Sequence, residues 1–440
     1  MKLSRISALG LLLLAPGFAA MAAAALDAPH TLHRARATES HLSASHRTGH
    51  RAAAPAAQRS TTARAGTTHA AQRPAGQQAR LTPRGSVRAQ ARRVALTSRH
   101  HHYSERFTAS SFASEGMLAG DLTAGEDPVV RQAAIDALGD MNGTAVVIDP
   151  SNGRILAMVN QKLALSPGAE PCSTIKITVA MAALSEGLVT RDTPVKLAGF
   201  HMNMTQALAK SNNLYFEELG RELGFDRVRH YATQFGLGEL AGYNIEGEQL
   251  GVYPDQELPA SEGGVARMCS FGQGVSLTPL QLGAYVAALA NGGTLYYLQH
   301  PTSPTEIANF EPKVKRTLDI ARYVPDLQDG MAGAVEYGTA RRLRANFNQL
   351  PVFGKTGTCS DKGTRFGWFV SYSDSPQGSL VTVFFLEGGR PTFGPRAAEL
   401  TGEFYKNLWD KDYFAHKDTI ANATPAYSVH SADSNQSASQ

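Results

Sequence analysis

Three short strings carry residue types that can do covalent chemistry. In "PCSTIK", residues 171–176, Ser173 stands three residues before Lys176. A serine hydroxyl is a useful nucleophile only when a base takes its proton. Lysine is such a base when burial or a second cation keeps it neutral. The following "ITVAMAALSEG" reads as a buried helix, and positions three apart share a helical face, so Lys176 reaches the Ser173 oxygen. The helix N-terminus adds a partial positive field for an oxyanion forming beside Ser173. In "KSNN", Ser211, Asn212 and Asn213 precede another helix, where an N-cap is the plain reading. In "GKTGT", Lys355, Thr356, Gly357 and Thr358 end an apolar strand. Alone, each string is weak: average composition yields a Ser-x-x-Lys roughly once or twice in a chain of this size.

The elements that must position these residues are legible around them. "GTAVVIDPSNGRILAMVN" (143–160) predicts a hairpin, two apolar strands about the turn residues Asp149 to Gly153. A mostly helical stretch runs from Ser173 to about 300. It includes "NNLYFEELGRELG", "FDRVRHYATQFG" and "TPLQLGAYVAALANGG", the last with Pro279 in its first turn. A further helix is expected within 319–342. "LPVFGKTGT", "GWFVSYSD" and "SLVTVFFLEGG" read as strands, and "RAAELTGEFYKNLW" as a closing amphipathic helix. The pattern predicts an α/β (α+β) fold: one antiparallel sheet of about five strands covered by helices, an all-helical second lobe, and the active site between them.

In this order the three strings form the Ser-x-x-Lys, Ser-x-Asn, Lys-Thr-Gly set of serine enzymes that react with penicillin. Across about 125–410 the chain resembles the penicillin-binding transpeptidase domain. "FGQGVSLTPLQLGAYVAALANGG" is similar to that family's Gly-Gln-Gly and Thr-Pro-Leu-Gln segment, and "EYGTARRL" to its Gly-Thr-Ala turn. The resemblance implies a D,D-transpeptidase, carboxypeptidase or endopeptidase acting on the D-alanyl-D-alanine end of peptidoglycan stem peptides and acylated by β-lactam antibiotics. It implies no cofactor and no metal. Ser173 would be the acylated nucleophile, Lys176 its base, and Ser211 a proton relay to the leaving amine. Asn213 would bind the substrate backbone and Lys176. Lys355 would keep the pocket cationic and hold Lys176 down, with Gly357 in the same strand. Thr356 and Thr358 would hold the terminal carboxylate, and the N–H groups of Ser173 and Thr358 would form the oxyanion hole.

That oxyanion hole has a corollary. Cys172 and Cys359 adjoin its two donors, and the resemblance to class A carbapenem-hydrolysing β-lactamases, which have a disulfide at the matching positions, implies a Cys172–Cys359 bond with Cys269 free. Departures from the family pattern are also present. Cys172 and Ile175 stand where Gly and Phe are common, the segment from Ser173 to Ser211 is short, and the expectation is a lone transpeptidase module without the large N-terminal pedestal. Two rivals share the fold: a serine β-lactamase and a β-lactam sensor or scaffold that acylates and stops. The first is disfavoured because no Glu-x-x-Leu-Asn string occurs and because Asn213 follows Ser211. A sensor needs a membrane span beyond the N-terminus, and no such stretch is found.

Composition supplies the organisation. Residues 1–26 carry Lys2, Arg5 and then "ISALGLLLLAPGFAAMAAAA", an export signal or N-terminal anchor. Export predicts an extracytoplasmic protein, in the periplasm or cell envelope. Residues 27–104 hold 13 arginines and only Asp27 and Glu39 as acids. With so few large apolar residues, this reads as a disordered basic arm. It is expected either to touch anionic wall or membrane surface or to act as a spacer. Its "RHHHYS" run is followed by a single carboxylate, Glu105, and has no Cys near it, so a metal site is not expected there. Without the arm the rest of the chain is net acidic, which argues against a nucleic-acid partner. The expected domain spans 105–415, followed by a polar, disordered tail over 416–440.

Overall fold

The computed structural model of the protein describes residues 109–415. The expected signal, the basic arm and the C-terminal tail lie outside the described residues. Within them the chain opens with helix α1 (Pro128–Leu138). Asp127 caps it by accepting from the N–H groups of Val129 and Val130, Pro128 fills the first turn, and Gly139 at φ 56° ends it. Strands β1 (Gly143–Ile148) and β2 (Ile155–Val159) then form the expected hairpin. After the single-turn helix α2 (Gln161–Ala164) and a 3-10 turn, Cys172–Ile175, comes α3 (Lys176–Ser185). Every residue of α3 from Lys176 to Leu184 is buried, as for a helix enclosed on all sides.

Two short strands, β3 (Val195–Leu197) and β4 (Phe200–Met202), precede α4 (Met204–Lys210) and α5 (Asn213–Gln234). Gly224, at φ 74° and ψ 161°, breaks α5 into the two helical segments read from the sequence. Next come α6 (Gly264–Phe271) and α7 (Pro279–Ala290), the latter started by a Thr278–Gln281 capping box. Strand β5 (Thr294–Tyr296) pairs with β6 (Val314–Thr317) around the short α8 (Pro304–Ala308). Helix α9 (Val324–Glu336) leads to β7 (Val352–Asp361), β8 (Thr364–Ser373), β9 (Leu380–Gly388) and the closing helix α10 (Gly394–Trp409).

The main sheet has five antiparallel strands in the order β2-β1-β9-β8-β7, so β7 is an edge. Its residues alternate between two cores, as the period of two requires. Ala145, Val147, Phe384 and Leu386 face α1 and α10, whereas Val146, Ile148, Val383 and Phe385 face the helices that follow Ser173. The second lobe departs from the all-helical expectation. It carries the ribbons β3–β4 and β5–β6, and no α-helix lies between Gln234 and Gly264. Three- and four-residue strands offer too few alternations to stand out in a sequence. No helix among the described residues is long and apolar enough to cross a membrane.

Candidate active site

The nucleophile turn is built tightly. A 3-10 helix has three residues per turn, so Ser173 and Lys176 eclipse each other, and Lys176 Nζ lies 2.9 Å from Ser173 Oγ. Cys172 sits at φ 53°, a left-handed conformation that L-residues adopt at a cost. A disulfide joins Cys172 to Cys359 across a sequence separation of 187, with the Cα atoms 5.5 Å apart, and Cys269 is the buried free thiol. Two further contacts bind the turn and the residues just before it to the sheet. Trp368 Nε1 of β8 donates to the Glu170 carbonyl at 3.0 Å. Gly357 of β7 packs so closely that an added Cβ would stand 2.8 Å from the Pro171 carbonyl oxygen. On the other side, a Cβ on Gly272 at the end of α6 would meet Pro171 Cγ at 2.6 Å, which explains one glycine of "FGQG".

The "KSNN" string serves two ends at once. Asn212 is the N-cap of α5, its side chain accepting from Tyr215 N–H. Ser211, at φ 54°, makes the left-handed corner between α4 and α5. That corner turns Ser211 and Asn213 toward Lys176. Lys176 Nζ donates to Asn213 Oδ1 at 2.6 Å and to the Ser211 carbonyl at 2.9 Å, and lies 3.3 Å from Ser211 Oγ. From the sheet edge, Lys355 Nζ reaches Ser211 Oγ at 2.8 Å and the Thr356 carbonyl at 3.0 Å. The structure therefore gathers Ser173, Lys176, Ser211, Asn213 and Lys355 around one point.

Both lysines are fully buried. Burial lowers the pKa of Lys176 to about 7, against a smaller opposing pull from Glu217. Burial also lowers Lys355 well below its ordinary value, with the charge of Lys176 as the second cause. Burial, not Lys355, is thus the main cause for Lys176. The two ammonium groups repel across Ser211 Oγ, so a proton on one opposes a proton on the other. A neutral Lys176 amine has two N–H donors and one lone pair. The donors suit Ser211 O and Asn213 Oδ1, and the lone pair is left for the Ser173 hydroxyl. After taking that proton the ammonium keeps the same three partners, so no rearrangement is needed.

The threonines divide their work. Thr356 is buried, and its hydroxyl lies 2.6 Å from that of Thr339. Thr358 is exposed; its hydroxyl accepts from Gly394 N–H at 2.8 Å, leaving its own proton free to donate. Thr339 was not singled out in the sequence. It belongs to the "EYGTARRL" turn, and its N–H donates to the Ala209 carbonyl at 3.1 Å, tying the end of α4 to β7. No cluster of three or more His, Cys, Asp or Glu among the described residues is arranged to hold a metal.

Comparison with known proteins finds relatives in sequence and in fold. The chain is 28% identical over 316 residues to Stage V sporulation protein D of Bacillus subtilis (strain 168), covering 60% of this chain and 48% of that protein. It is 26% identical over 357 residues to Peptidoglycan D,D-transpeptidase MrdA of Acinetobacter baumannii, covering 64% and 52%. The chain thus spans about half the length of these curated relatives. A crystal structure of Pseudomonas aeruginosa PBP2 in complex with WCK 5153 shares the fold, with a TM-score of 0.54 at 22% identity over 64% of this chain and 76% of that one. Residues 143–406, more than half of the 440, match the sequence model of the penicillin binding protein transpeptidase domain. With its Ser173, Lys176 and Lys355 gathered at Ser211, the chain belongs to that family.

Proposed function

We propose that the protein is an acyl-serine D,D-transpeptidase acting on the D-alanyl-D-alanine end of peptidoglycan stem peptides, and that β-lactams acylate the same serine. The observation that carries the reading is a buried amine of lowered pKa, Lys176 Nζ, at 2.9 Å from Ser173 Oγ. The name peptidoglycan D,D-transpeptidase borne by a relative supports it. In the proposed reaction Ser173 Oγ bonds to the carbonyl carbon of the penultimate D-alanine while its proton passes to Lys176. The oxyanion rests on the N–H groups of Ser173 and Thr358. Two features support that pair: Ser173 lies in the first turn of its 3-10 helix, and β7 is an edge strand with backbone groups facing away from β8. Collapse breaks the carbon–nitrogen bond, and the leaving D-alanine amine takes the proton from Lys176 through Ser211. An acceptor amine then attacks the ester, and the reverse proton path restores Ser173. Asn213 orients the substrate, and Lys355 with the hydroxyls of Thr356 and Thr358 holds the terminal carboxylate.

The test is a fluorescent penicillin. It should label Ser173 covalently, and the adduct should persist for minutes or longer; rapid turnover of nitrocefin would make the protein a β-lactamase instead. Exported, extracytoplasmic action follows from the substrate and from the signal-like residues 1–26. The 13 arginines of 27–104 suit a salt-sensitive attachment to anionic wall or lipid.

A further inference from the structure

Lys176 has a neighbour that takes no part in its hydrogen bonds. Its Nζ stands over the ring of Phe216, 5.6 Å from the centroid, and that ring is fully buried. Phe216 comes three residues after Asn213 on α5, so the two share one face of that helix. Asn213 Oδ1 accepts from Lys176 Nζ at 2.6 Å, and the ring faces the same nitrogen. Two charged groups act on it. Glu217 of α5 favours the ammonium, and Lys355 of β7 is coupled to it by repulsion. From α4, α6, α9 and the turn Ala321–Tyr323, which also pack on α3, no charged side chain among the described residues acts on it.

The hydrogen-bonding groups around Lys176 stay the same whether or not it carries the extra proton. An aromatic face is different. It carries partial negative charge, attracts a cation within about 6 Å, and is nearly indifferent to a neutral amine. Its effect therefore grows as the O–H bond of Ser173 breaks, Oγ bonds to the carbonyl carbon and Nζ gains the proton. An aliphatic side chain in its place would leave that new charge buried and uncompensated. A carboxylate would hold Lys176 protonated, and so unable to act as a base. We propose that Phe216 is a positioning residue for acyl transfer, whose ring face stabilises the ammonium formed as Lys176 takes the proton of Ser173. The proposal rests on the acyl-serine reading and on Lys176 as its base.

The test replaces Phe216, in the full chain, by mono-, di- and trifluorinated phenylalanine. These keep the shape of the ring and withdraw charge from its face. At a pH where Lys176 is neutral and with saturating penicillin, acylation should slow stepwise, by about threefold to tenfold with three fluorines. The dissociation constant of the non-covalent penicillin complex should not change. The titration of Lys176, followed by NMR of isotope-labelled lysine ε-carbons, should move to lower pH by about one unit, because losing the attraction disfavours the ammonium. Trifluorophenylalanine at Phe235, a buried ring stacked on Tyr285, controls for fluorination itself and should leave both readouts unchanged. Melting curves confirm the fold of each variant. A series with the parent's rate and the parent's Lys176 titration overturns the proposal, as does equal slowing by the Phe235 control. A parent protein that penicillin does not acylate overturns the transpeptidase reading instead, and the Lys176 titration then decides alone whether the ring acts on the ammonium.

Discussion

Lys176 decides how the chemistry depends on pH. Its amine is the base only when neutral, and burial brings its pKa to about 7. The second-order rate of acylation by penicillin should therefore rise with pH through about 7 and level off above it, as a stopped-flow profile will show. Ser173→Ala should abolish labelling with the fold intact, and Lys176→Ala should slow it by about 10²–10⁴. Stability follows the same proton. A lysine unfolded near 10.5 and folded near 7 binds more protons unfolded across that window, so its contribution is present above 10.5 and lost as pH falls through about 7. Urea curves should hence show the stability of Lys176→Met relative to the parent improving from pH 10 to pH 6. At this scale the sequence showed much. Ser173, Lys176, Ser211, Asn213 and Lys355 were legible through the order of the three strings and the family they resemble, since each string alone was weak. Thr339 was not, since its tie to Thr356 joins a turn to strand β7, which only the fold brings together.

Between elements, the 3-10 turn and the edge strand β7 are held together by the Cys172–Cys359 bond and the Gly357–Pro171 contact, and the Trp368–Glu170 hydrogen bond ties the residues just before the turn to β8. Gly357→Ala should push β7 from the turn and depress acylation at least tenfold, because its Cβ would meet the backbone. Removing the disulfide should lower stability by about 2–5 kcal/mol, measured by urea denaturation. Cys172 also has φ 53°. Among disulfide-free variants, Cys172→Gly/Cys359→Ala should therefore exceed Cys172→Ala/Cys359→Ala by about 1 kcal/mol. Equal stabilities would contradict the strain at Cys172. The long elements were readable: α7 from Pro279 and its trailing glycines, β1–β2 from its turn. Helix α1 was overlooked although Asp127, Pro128 and Gly139 mark both ends. The left-handed Cys172 leaves no trace in a sequence, since it is imposed by its neighbours.

For the molecule as a whole, the expected domain 105–415 contains every residue of the proposed site. A protein beginning at residue 105 should keep its rate of penicillin acylation and lose a salt-sensitive affinity for envelope fragments in a pull-down. Equal binding with and without residues 27–104 would make that segment a spacer. The sheet order was only partly legible, because the pairing of β1 with β9 spans most of the domain and rests on tertiary packing rather than on any local signal. The most direct test of the transpeptidase reading is mass analysis after incubation with a donor pentapeptide muropeptide and an amine acceptor. A cross-linked product that has lost one D-alanine, absent with Ser173→Ala, is the predicted result. Product of the same mass formed equally by Ser173→Ala, or a donor left unchanged by the parent protein, would contradict it.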